Sequence, residues 1–251
     1  RLARDASFRA SGKDRRIEGL LEILRQQLLR GEGLRDDRQF ISASWALARL
    51  SVTDEPLLDA LTAEAMPRMS ELSCQALATT SWAFAKLQAG RLALAGPICA
   101  EAMAKLGEFG SSHLASMSWS VARMQEIGEP LMTAIASRAQ HELHELSMRD
   151  LTSVAWSLAA LRLGHEQFIE SVAAQAIAKV SELSTLDFAN ISWALSEMGM
   201  RSEELASATL ADVRRRAPGL GPQELGHWLW AFSRGGLDCA ELLEAASGGV
   251  A

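Results

Sequence analysis

Hydrogen-bonding side chains recur along this chain at Ser42, Thr79, Ser116, Ser153, Asn190 and His227. Three residues after each stands a tryptophan: Trp45, Trp82, Trp119, Trp156, Trp193 and Trp230. One helical turn later comes the column Arg49, Lys86, Arg123, Ala160, Glu197 and Arg234. One turn earlier comes Arg38, Gln75, Ser112, Arg149, Leu186 and Gln223. Steps of three and four keep these groups on one helix face. A neighbouring column holds only Ala or Ser, at Ala46, Ala83, Ser120, Ser157, Ala194 and Ala231. Small residues flanked by hydrogen-bonding groups, with a cation one turn on, suit a groove for an extended polymer. Bases would meet the variable polar column and phosphates the cations, which is the chemistry of single-stranded RNA recognition. The candidate contact residues are Arg38, Ser42, Arg49, Gln75, Thr79, Lys86, Ser112, Ser116, Arg123, Arg149, Ser153, Asn190, Gln223, His227 and Arg234. The same stripe is also what a solvated helix face looks like, polar in its first turn and basic in its last.

The elements that carry these groups follow from the period. The six tryptophans are spaced by 37 residues with no insertion or deletion, and only Trp228 falls outside the series. A fixed period of this size marks one unit copied in tandem, each copy burying its apolar face against its neighbours. In the type unit Ser73 is the N-cap of a first helix over 74–87, and Ser147 and Ser184 (with Gly110 and Gly221) take its place elsewhere. Leu72/Leu77, Phe109/Leu114, Leu146/Leu151, Leu183/Phe188 and Leu220/Leu225 form hydrophobic staples. Asp150, Asp187 and Glu224 favour the positive helix end. Gly90, Gly128, Gly164 and Gly199 end the first helix.

A second helix carries Leu57, Leu94, Leu131, Phe168 and Leu205, then Leu61, Ile98, Ile135, Val172 and Thr209 one turn on. A further turn brings Ala65, Ala102, Ala139, Ala176 and Val213, small enough for close helix approach. The predicted fold is all-α, a right-handed α-solenoid of stacked 37-residue helical hairpins. It forms a single array over 1–251, with a degenerate repeat at 1–33, where Leu20, Leu24 and Leu28 carry the second-helix stripe and Phe8 stands in for tryptophan. Full repeats fall at 34–70, 71–107, 108–144, 145–181 and 182–218, and a partial one at 219–251 starts a second helix at Leu242 and Leu243. Each tryptophan falls at the edge of the apolar arc. It is expected to pack as a spacer between repeats, where burial of about 200 Å² gives roughly 5 kcal/mol; the alternative is that it stacks on a ligand base.

Composition limits the remaining classes. The chain is 48% hydrophobic and 22% charged, enough for a core, and has no apolar run long enough to insert in a membrane. Cys74, Cys99 and Cys239 show neither disulfide nor zinc spacing, which fits a reducing compartment. The net charge is −6. Residues 1–50 carry 11 Lys/Arg against 7 Asp/Glu, a net of +4, so the remainder carries −10. A general electrostatic attraction to nucleic acid is therefore absent, and cations must act locally. Arg1, Arg4, Arg9, Lys13, Arg15 and Arg16 resemble the end of a transit peptide, against which Asp5 and Asp14 speak. Lacking an initial methionine and ending within a helix pattern, the chain reads as a piece of a longer protein. His141-Glu142-Leu143-His144 misses the metalloprotease spacing by one residue. No phosphate loop or nucleophile motif is present, so neither catalysis, a metal nor a cofactor is expected.

The segments 183–196 and 73–87, with their Leu–Ala–x–x–Ser–Trp–Ala–x–Ala–Lys–Leu core, resemble the octotricopeptide repeats of algal organelle proteins and the similar heptatricopeptide repeats. The resemblance covers about residues 34–245. It implies an α-solenoid that binds organellar RNA, in chloroplast or mitochondrion, and acts in RNA stability, processing, splicing or translation. Ala160 and Glu197 depart from the basic column. Two rivals remain: a protein-interaction scaffold, and a structural subunit of an organellar ribonucleoprotein.

Overall fold

Local capping sets where the helices begin. The computed structural model describes residues 15–30, 34, 36–52, 54–88, 91–124, 128–200, 202–216, 221–234 and 240. In it Ser73 accepts a hydrogen bond from the backbone N–H of Ala76, Ser147 from Asp150, and Ser184 from Asp187. The Asp187 carboxylate accepts in return from the Ser184 N–H, closing a capping box. The staple residues Leu72, Leu77, Phe109, Leu114, Leu146, Leu151, Leu183 and Phe188 are buried. Among the described residues there are twelve α-helices and no strand.

The chain divides into two compact units, one up to Leu131 and one from Met132. The first contains α1 (Arg15–Leu29), α2 (Asp37–Leu50), α3 (Glu55–Ala65), α4 (Cys74–Leu87), α5 (Arg91–Ala104) and α6 (Ser111–Met124), and the first residues of α7 (Glu129–His141). Here α2, α4 and α6 lie in a row, α4 packing on both others. Behind the row, α1 packs on α3, and α5 on α4 and α6. The second unit holds the rest of α7 with α8 (Met148–Ala160), α9 (Glu166–Ala178), α10 (Thr185–Glu197), α11 (Glu203–Arg216) and α12 (Pro222–Arg234). Its row is α8, α10 and α12, backed by α9 and α11. The row helices start at Asp37, Cys74 and Ser111, and at Met148, Thr185 and Pro222, repeating the spacing of the tryptophans. The expected second-helix columns line the core. Leu57, Leu61 and Ala65 are buried in α3, Leu94, Ile98 and Ala102 in α5, and Phe168, Val172 and Ala176 in α9. In α1, Leu28 is buried but Leu20 is 55% exposed, so the expected stripe continues only partway. Phe8, Gly90, Leu220, Leu242 and Leu243 lie outside the described residues.

Of the described glycines expected to end the row helices, only Gly199 does so. Left-handed backbone falls at Ser51, Gln88, Arg162 and Gly199, positions that differ by multiples of 37, and only the last is glycine. Gly164 and Gly128 lie beyond that register. A residue with a Cβ pays about 1–2 kcal/mol in that conformation. Gln88→Gly is thus expected to raise stability by about 0.5–1 kcal/mol, after the extra freedom glycine gains in the unfolded chain. Urea midpoints of the two proteins check this.

Side chains at or just after the ends of α3, α5 and α9 bond back to the connection that precedes their hairpin. Lys105 Nζ donates to the carbonyls of Ser70 (2.7 Å) and Leu72 (2.8 Å) and pairs with Glu101 at 2.7 Å. Arg68, 37 residues earlier, donates to the Leu34 carbonyl at 2.6 Å and pairs with Glu64. In the second unit Gln175 Nε2 donates to the Leu143 carbonyl at 3.1 Å. These donors satisfy backbone carbonyls of the connections, which have no place in a helix ladder.

Cys99, on α5, is a half-buried thiol whose burial pushes its pKa up from 9.0 to about 11. Unfolding returns it to 9.0, so between 9.0 and about 11 the unfolded chain holds fewer protons than the native one. Stability is therefore expected to fall as pH rises through that window, and Cys99→Ala to flatten the decline; urea titrations at successive pH values measure both.

Candidate nucleic-acid interface

The inner helices of each row have little surface to spare. Between Gln75 and Lys86 on α4, every residue is buried except Gln75, Thr79, Trp82 and Lys86. Those four stand at steps of four, three and four, one continuous stripe. Neighbouring row helices cover the flanks of α4 and the second layer covers its back. On α6 the open stripe is Ser112, Ser116, Trp119 and Arg123, with His113 beside it. On α2 the same positions are Arg38, Ser42, Trp45 and Arg49, all exposed or half-buried. The expected polar and basic columns thus form the open face of three adjacent helices in the first unit.

The second unit presents Arg149, Ser153, Trp156 and Ala160 on α8, and Leu186, Asn190, Trp193 and Glu197 on α10. Gln223, His227 and Trp230 follow on α12, where the Arg234 side chain is outside the described residues. Trp156 and Trp193 meet across neighbouring helices with ring centroids 5.6 Å apart. Glu197 pairs with Arg162 at 3.5 Å. Ala160 and Glu197 stand where the first unit has its cations.

Two expectations need correction. The Ala/Ser column does not line the stripe. Ala83, Ser120, Ser157, Ala194 and Ala231 are buried, and the Ser120 and Ser157 hydroxyls donate to the carbonyls of Ser116 and Ser153. Nor are the serial tryptophans buried spacers. Trp45, Trp82, Trp119, Trp156 and Trp193 are half-buried and Trp230 is 50% exposed, whereas Trp228, outside the series, is 3% exposed. A partly accessible Trp119 loses less on truncation than the 3–5 kcal/mol that full burial implies.

The indoles are instead partnered by the basic column. Arg49 lies over Trp45 at 5.6 Å from the ring centroid, Lys86 over Trp82 at 5.2 Å, and Arg123 over Trp119 at 5.9 Å. Placement four residues on brings each cation to the ring, in cation–π range. The spacing of the two columns already carried this signal.

The His-Glu-Leu-His segment is engaged structurally. Glu142 pairs with Arg138 at 3.0 Å, and His144 Nδ1 lies 2.9 Å from Gln175 Nε2. Among the described residues no group of three or more His, Cys, Asp or Glu is placed to hold a metal ion, and no helix is long and apolar enough to cross a membrane.

Residues 91–244, more than half of the chain, match the family described as RNA-editing substrate-binding complex 6 protein. The chain belongs to that family. The matched span includes the stripe of α6 and every stripe of the second unit. RNA-editing substrate-binding complex 6 is not the octotricopeptide or heptatricopeptide group that the motifs resemble; what the two assignments share is an RNA-related helical protein. A comparison with curated proteins found no match.

Proposed function

We propose that this chain is a single-stranded RNA-binding subunit of an RNA-editing type of ribonucleoprotein, acting in an organelle. In this proposal its hairpins are units of an α-solenoid, and the row helices present the RNA-facing stripes. The observation that carries it is the stripe of α4: the accessible groups there are an amide, a hydroxyl, an indole and an ammonium, the set a nucleotide uses. Arg38, Arg49, Lys86 and Arg123 stand on the three adjacent stripes of the first unit, in a chain of net charge −6. Phosphates meet these cations, while Ser42, Thr79 and Ser116 offer hydroxyls to base edges. The description of the family supports the RNA side of this reading.

Filter binding of an oligoribonucleotide across a salt series tests it. Four phosphate contacts give a slope of log affinity on log salt near −3, from about −0.7 per contact on a single strand. No saturable binding at low salt removes the proposal.

The second unit favours a protein-scaffold role alongside. Its stripe exposes Leu186 and Trp230, each at 50%, and puts Glu197 where the first unit has cations. Partners recovered from native extract with and without ribonuclease treatment separate the roles: a scaffold keeps them, an RNA tether loses them.

A further inference from the structure

We infer that Trp45, Trp82 and Trp119 are stacking platforms on which three nucleobases of the bound strand lie, one per row helix; this rests on the RNA-binding reading above. The chain buries an indole where packing calls for one, since Trp228 is 3% exposed against Phe188 and Phe232. The three serial indoles of the first unit are only half-buried. Apolar surface held open in a row, rimmed by polar groups, marks a binding surface.

Each of the three rings already has a cation at 5.2–5.9 Å. That contact limits the rotamers of both side chains before any ligand arrives, lowering the ordering cost of binding. It also places a positive charge beside each platform, where a base lying on the indole brings its phosphate. An indole accepts any base, because every base has a π-face. The three indoles therefore supply affinity without sequence preference, and choice among bases falls to Ser42, Thr79 and Ser116, one turn before each ring. The occupant is a single-stranded polyanion carrying aromatic bases. An acidic or uncharged apolar peptide lacks one or the other of these two groups.

Two ligands of equal length and charge test this on the full chain: an oligouridylate and an abasic oligonucleotide with the same backbone. The parent protein is expected to bind the abasic strand more weakly, roughly 5- to 150-fold for each stacked base lost. Both strands should keep the same salt slope, because the cations are unchanged. Oligouridylate should quench the tryptophan fluorescence and the abasic strand should not. Replacing the three indoles together (Trp45→Leu, Trp82→Leu and Trp119→Leu) should lower oligouridylate affinity most of the way to the abasic level, the remainder being the hydroxyl contacts to the bases, and leave the abasic affinity alone. Equal affinity of the parent protein for the two strands overturns the stacking inference while RNA binding stands. Failure of both strands to bind at low salt overturns the RNA-binding reading, and the platforms with it.

Discussion

Phe188→Ala is expected to destabilise the second unit by about 3–5 kcal/mol, a large share of the roughly 5–15 kcal/mol that holds a typical domain folded. Phe188 is 0% exposed. Its ring lies 4.8 Å from that of Phe232 and 5.8 Å from that of Trp228, both on α12, while Phe188 itself is the staple residue of α10. Truncation therefore opens a cavity among three aromatic rings and loosens the start of α10 at once. Arg216 lies over the other partner, Trp228, at 5.5 Å, and its Asp212 partner is buried, so α11 is drawn into the same cluster. Thermal melts followed by near-ultraviolet circular dichroism measure the loss. A Phe188→Leu protein should recover most of it, because volume rather than ring chemistry fills the site.

Neutralising Arg49, Lys86 and Arg123 together, each to Gln, is expected to abolish most of the salt dependence of RNA binding. With four phosphate contacts the parent loses about 50-fold in affinity between about 50 and 200 mM salt. With Arg38 alone remaining, the slope falls to about −0.7 and the loss to about threefold. Stability should fall by about 1.5–3 kcal/mol in all, because three cation–π pairs at accessible sites contribute about 0.5–1 kcal/mol each, so binding is measured well below the variant's melting transition. A triple variant with the parent's salt slope would place the phosphates elsewhere on the molecule.

The parts of this fold that the sequence discloses are those written in short-range chemistry. Ser73, Ser147 and Ser184 announce helix starts because a cap and its staple involve residues only a few positions apart. The column Leu94, Ile98 and Ala102 announces the buried face of α5 for the same reason. The tryptophans misled because periodicity reports which face a residue occupies but not how far a neighbouring helix reaches over that face. Trp82 sits at the boundary between the apolar arc and the polar stripe, and the packing of α2 and α6 on α4 settled its exposure. The Ala/Ser column shows the converse: small residues near the stripe served contact between helices. Ser51, Gln88 and Arg162 were missed as helix ends because their left-handed backbone is imposed by the connection that follows, with no glycine to signal it. The contacts of Lys105 with Ser70 and Leu72 span more than thirty residues and have no local signature at all.

Those contacts give the molecule a direction. Arg68 reaches Leu34, Lys105 reaches Ser70 and Leu72, and Gln175 reaches Leu143: in each case the later segment closes the earlier one. A ribosome releases the chain from its N-terminal side, so the connections at Leu34, at Ser70 and Leu72, and at Leu143 keep open carbonyls until the hairpin that follows each of them has emerged. Within either unit, maturation is thus sequential, and a polypeptide cut short just after Leu72 or Leu143 ends in a connection that nothing has sealed.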